Sequence, residues 1–183
     1  MLDAVNPWGR PVRPSLGAEI VAQVAREPWQ VAGYRELRRA IFAEEQGLFE
    51  GSDFDEHDEH ALPIVAQSQI AGMADRVVGV VRIYRSEPAV WYGGRLGVHR
   101  EFRRFGAIGS ALITTAVSTA HALGCQRFLA TIQLPNVRYF ERHHFRVLRE
   151  LVVRGKPHQL MQADLSCYPP RAEGERLVQA RVA

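Results

Sequence analysis

The chain has 183 residues, of which 23 are Lys or Arg and 20 are Asp or Glu, for a net charge of +3. That length, with 46% hydrophobic residues, fits a single domain with its own core. The positive charge is arginine apart from Lys156 and is scattered from Arg10 to Arg181, not gathered into a stripe, so no nucleic-acid partner is expected.

Residues 1–17 hold Pro and Gly without periodicity and read as an extended arm. Residues 18–25 read as a first strand. Tyr34, Leu37 and Ile41 recur at helical spacing within 33–46. Gly47 to His60 is an acidic loop or irregular helix. Residues 62–70 and 77–84 read as a hairpin around a turn with Gly72. Residues 89–98 form a strand with Gly93-Gly94 at its middle, where glycine signals a bulge or close backbone approach. A long helix follows, with Ile108, Leu112, Ala116, Thr119 and Leu123 on one face and Gly124 at its end. Then come a strand at 127–133, a short helix from Pro135 to Arg142, and a hairpin of 145–153 with 159–165 around Arg154 to Pro157.

From Tyr168 onward the chain is polar and reads as a tail, or a short helix around Arg176. The expected organisation is an arm (1–17), one domain (18–168) and a tail (169–183). Strands followed by strand–helix–strand–helix–strand specify a mixed α/β domain with helices on both faces of the sheet. Cys125 and Cys167 make neither a disulfide framework nor a metal quartet. No apolar run approaches about 18 residues, and the N-terminal stretch has no apolar signal core, so a cytoplasmic protein without membrane association is expected.

The segment from Val98 to Ile113 runs from a strand, through a turn rich in Arg and Gly, into the long helix. Unpaired N–H groups at a helix start bind phosphate, and Arg103 and Arg104 add full charges. Gly106 and Gly109 let backbone approach an anion closely. With Leu96-Gly97-Val98 before it and Asn136-Val137-Arg138-Tyr139-Phe140-Glu141-Arg142-His143-His144-Phe145 after the next strand, the chain resembles the GNAT superfamily of acyl-CoA N-acyltransferases over about 18–165. The stretch from Ile41 to His60 resembles a subset of that family with an F-x-x-E-Q-G segment, similar to domains elsewhere fused to an aminoimidazole-ribotide-synthetase-like domain.

The resemblance implies a mostly antiparallel mixed sheet of six to seven strands and acetyl-CoA, or another acyl-CoA, as cosubstrate. It implies that Leu96 and Val98 pair with the pantetheine and that the Val98 N–H meets the thioester oxygen. Arg103, Arg104, Gly106, Ala107, Ile108, Gly109 and Ser110 would hold the pyrophosphate, with Asn136 and Phe140 beside the pantetheine. Two departures stand out. The loop is one residue longer than the family pattern. Phe140 also stands where many relatives carry the Tyr that protonates the leaving thiolate, with Tyr139 about 100° away on the helix.

Transfer to an amine needs a group to take the amine's proton. Glu44 to His60 contains eight carboxylates. Glu44, Glu45 and Gln46 are candidates to line the acceptor site. Asp53, Asp55 and His57 are candidates to attract a cationic small-molecule amine and accept its proton, with His99 as a further candidate. The spacing of Asp53, Asp55, His57, Asp58 and His60 fits neither a calcium loop nor an H-x-x-x-H pair, so no metal is expected. A homodimer is compatible with this reading. The rival is a non-catalytic acyl-CoA-binding sensor or partner module, which keeps the phosphate loop and accounts for Phe140.

Overall fold

The computed structural model describes residues 18–47, 52–70, 72–172 and 177–182. One sheet holds β1 (Ala18–Val24), β2 (Leu62–Ile70), β3 (Met73–Glu87), β4 (Val90–Val98), β5 (Arg127–Gln133), β6 (Phe145–Val153), β7 (Lys156–Ala163) and β8 (Leu177–Val182). Their spatial order is β6-β7-β5-β4-β3-β2-β1-β8. The described neighbours pair antiparallel except β4 and β5, which are parallel. The sheet exceeds the expected six to seven strands because residues 177–182, expected as tail, pair with β1. Arg176 and the arm 1–17 lie outside the described residues.

Helix α1 (Pro28–Arg38) begins earlier than its apolar spacing suggests. Proline is tolerated at a helix start, and Gln30 Oε1 accepts from the N–H groups of Arg26 (2.9 Å) and Glu27 (3.1 Å). The helix continues as a π-helix over Arg39–Glu45, closed by the Gln46 N–H on Ile41 O at 3.0 Å. Helix α2 (Gly106–Ala122) follows β4, and α3 (Val137–Glu141) follows β5.

Period-two alternation splits the core between the two faces. Val65 and Val80 pack with Tyr34, Leu37, Ile41 and Phe42 of the first helix. Ile64, Ala66 and Ile83 pack with Ile108, Leu112 and Ala116 of α2. Helix α2 is buried nearly all round, because the segment after β7 crosses its outer side, with the Arg171 N–H on Ser118 O at 3.1 Å. Leu123, expected on the apolar face, is instead exposed beyond the helix end, where Gly124 turns the chain at φ +88°. Burial pushes the Cys125 thiol up to about 11, leaving it an inert core group.

Candidate active site

Strands β4 and β5 are paired only from Val90–Gly93 against Arg127–Ala130, and beyond that point they diverge. A bulge in β4 accompanies the divergence. Gly94 faces Arg82 and Gly97 faces Val80, so Arg95 and Leu96 together oppose Val81. Arg95 takes the left-handed conformation at φ +55°, which costs an L-residue roughly 1–2 kcal/mol. Its side chain is held by the loop: Nη2 donates to Asp53 O (2.9 Å) and Asp55 Oδ2 (3.1 Å). The bulge thus falls one residue after Gly93-Gly94. Gly93 is bare for another reason, since a Cβ there would sit 2.9 Å from the Phe128 ring.

The His99 N–H donates to Val78 O at 2.9 Å, which makes Gly79 and Val98 a non-hydrogen-bonded pair. The N–H and C=O of Val98 therefore turn away from β3, toward the gap between β4 and β5. The π-helix closes over the same end of β4: a Cβ on Gly97 would sit 2.8 Å from Ile41 Cδ1.

Buried Phe102 anchors the loop after His99, and α2 opens at Gly106 without a side-chain cap. Gly106 and Ala107 are exposed, and a Cβ on Gly106 would meet nothing within 4 Å. Arg100 and Arg104 are exposed with no ion-pair partner among the described residues. Ile108 points into the core, and its N–H is already given to Phe105 O. Gly109 also faces inward, because a Cβ there would run into the Tyr139 hydroxyl. Ser110 is half-buried. The part of the loop open to an anion is therefore Arg104, Gly106 and Ala107. Arg103 is occupied: Nε donates to Val98 O (2.9 Å), and Nη1 and Nη2 to the Glu45 oxygens (2.5 and 2.8 Å).

Asn136 is exposed at the start of α3. Phe140 is not at the surface of the gap; it is core, edge-on to Phe145 at 5.2 Å. Tyr139 is half-buried against the first turn of α2, and burial raises its phenol so that the proton stays on.

The acidic loop is not an open field. Arg38, with none of its surface exposed, donates to Asp53 (2.8 Å) and Asp58 (2.5 Å). Arg82 donates to Asp55 (2.7 Å) and Asp58 (2.6 Å), and Arg95 completes the set. Burial pushes the Asp58 carboxyl up, but hydrogen bonds from Arg38 and the Asp55 N–H, with the charges of Arg38 and Arg82, outweigh it and hold it at about 2. Asp55 is lowered on the same balance, by Arg82 and Arg95. Carboxylates so held are poor bases near neutral pH. The expectation that Asp53 and Asp55 face an incoming cation is thereby corrected: three arginines take the charge of three aspartates.

His57 is exposed and stacks on Tyr84 (4.3 Å between centroids), which stacks on Tyr92 (5.7 Å). Glu44 faces solvent with Arg39 at 3.4 Å, and Gln46 is exposed. His99, at the end of β4, is lowered by burial and by Arg76, Arg100 and Arg103 against the opposing charge of Glu101, a shift that favours the neutral imidazole.

Arg38, Arg82 and Arg95 were not among the sequence candidates. Arg82 had a legible signal, since an arginine inside the apolar run Val77 to Ile83 demands carboxylate partners.

Among the described residues no three His, Cys, Asp or Glu are grouped to hold a metal ion, and no helix is long and apolar enough to cross a membrane. No curated protein matches the chain in sequence. Solved structures share the fold. A Lactobacillus plantarum protein described as an N-acetyltransferase has 24% identity and a TM-score of 0.68, over 80% of this chain and 97% of that one. Escherichia coli ElaA has 19% identity and a TM-score of 0.64, over 80% and 99%. BjaI, a CoA-dependent acyl-homoserine lactone synthase solved with SAM and isopentyl-CoA, has 21% identity and a TM-score of 0.63, over 82% and 86%. The sequence itself matches the Acetyltransferase (GNAT) family over residues 19–145, which spans the bulged strand, the Arg/Gly loop and α3, and the chain belongs to that family.

Proposed function

We propose that the protein is an acyl-CoA-dependent N-acyltransferase that moves an acyl group, acetyl in the first instance, to the amine of a small molecule in the cytoplasm. The observation that carries this reading is the gap between β4 and β5, with the Val98 N–H turned into it and the bare start of α2 beyond its end. The residues present fit the donor. Leu96 and Val98 offer backbone to the pantetheine, while Gly106, Ala107 and Arg104 offer N–H groups and charge to the pyrophosphate.

In this reading the Val98 N–H stabilises negative charge as it develops on the acyl oxygen. His99 takes the amine's proton in place of the aspartates, because its lowered pKa favours the neutral imidazole and it stands at the end of β4. Tyr139, not Phe140, is the phenol able to protonate the leaving thiolate. A thiolate of pKa roughly 8.5 leaves tolerably on its own, so that proton is an aid and not a requirement.

An acyl-CoA panel crossed with an amine panel, read as free thiol, tests the proposal. Amine-dependent thiol release with one acyl chain preferred supports it. CoA binding without amine-dependent release from any pair would instead favour a non-catalytic acyl-CoA module.

A further inference from the structure

Two groups expected on opposite sides of the reaction are joined in this structure. Glu45 ends the π-helix that closes over β4, and Arg103 belongs to the loop that leads into α2. Arg103 grips both Glu45 oxygens and, through Nε, the Val98 carbonyl on the gap side of β4.

We propose that Glu45 and Arg103 form a partner-exchange latch. The phosphates of the acyl donor draw Arg103 off Glu45, and the freed carboxylate then holds the ammonium of the acceptor, so donor binding favours acceptor binding. The latch rests on the reading of acyl-CoA as donor.

Three observations carry it. The pair is exposed, with 43% and 42% of the two side chains accessible, and exposed ion pairs are weak enough to exchange. The buried Arg38–Asp53 pair, at 0% on both sides, has no such freedom. The guanidinium fork fits phosphate as well as carboxylate, and Arg103 lies three residues before Gly106, where N–H groups and the helix dipole favour an anion. Its departure also releases the Val98 carbonyl, an acceptor for an amide of the pantetheine.

On the acceptor side, Glu45 lies close enough to His99 for the two to interact electrostatically. An ammonium held by Glu45 would therefore lie within electrostatic reach of the group assigned to take its proton. Because the two bindings share one arginine, the coupling is reciprocal: amine binding to Glu45 must favour the donor by the same factor.

Calorimetric titration of CoA into the wild type, Glu45→Gln and Arg103→Ala, at low and high salt, tests the latch. Glu45→Gln removes the competitor for Arg103 and is expected to bind CoA about two- to fivefold more tightly at low salt. The gain should vanish at high salt, where the exposed pair is screened. Arg103→Ala is expected to bind CoA more weakly than the wild type. Unchanged or weaker CoA binding by Glu45→Gln, with its thermal midpoint equal to the wild type's, overturns the latch and leaves the donor assignment standing. A wild type that does not bind CoA overturns both.

Discussion

Two loops carry most of the conspicuous charge near the gap, and they use it in opposite directions. Residues 52–60 turn their aspartates inward onto Arg38, Arg82 and Arg95. Residues 99–107 leave Arg100 and Arg104 facing solvent beside an uncapped helix start. In sequence both look like charged surface. In space one is a clamp that holds the bulge of β4, and the other leaves its arginines and a bare helix start open to solvent. The difference teaches that a run of like charges creates a field only where the fold leaves it unpaired.

The largest effect is expected from breaking the clamp. Asp53→Ala leaves the fully buried Arg38 short of a partner and should cost about 3–5 kcal/mol of stability, read as a lower urea midpoint. Arg104→Ala, in the open loop, should change stability by no more than about 0.5 kcal/mol. Equal losses from both would abolish the distinction.

The next effect concerns the proton. If His99 is the base, His99→Ala should lower kcat/KM by about 10²-fold or more. The neutral imidazole is the active form, and burial with the nearby Arg76 lowers its pKa from the ordinary histidine range, so wild-type activity should fall as pH drops through that lowered pKa. The variant should lose this acid limb. An unchanged limb would return the role to another group.

The open loop can be probed without touching the clamp. Gly106→Glu adds a side chain where nothing lies within 4 Å, so the fold should persist while CoA affinity falls about tenfold, or roughly 1.4 kcal/mol. Gly109 is the wrong place for this test, because its substitution would first displace Tyr139. The smallest effect is expected at Phe140, which sits in the core beside Phe145. Phe140→Tyr should alter turnover by less than about tenfold. A gain of several hundredfold would show that the native protein lacks an acid it needs.

The elements were largely legible in the chain. The strand at 127–133 and the strand at 145–153 lie where their patterns end, because alternation and turn residues act locally. The first helix was less so. Its π-helical extension over Arg39–Glu45 depends on Ile41 and Phe42 reaching β4 across the bare Gly97, a contact between segments far apart in sequence. Gly93-Gly94 signals a bulge or a close backbone approach, and Gly93 is the close approach, against the Phe128 ring. The bulge lies just beyond it. It sits on Arg95 because hydrogen bonds from another loop hold a strained arginine in place.

By itself the sequence determined the mixed α/β class, the strand–loop–helix from β4 into α2, and the family, since these rest on local periodicity and on short-range order of Arg, Gly and apolar residues. Only the tertiary structure decided which charges remain available. Asp53, Asp55 and Asp58 are neutralised by arginines from the first helix, β3 and β4, Arg103 is shared with Glu45, and Gly109 is covered by Tyr139. The physical reason is that a charge or a bare backbone acts by what lies within a few ångströms of it, and those neighbours come from segments that sequence spacing does not relate.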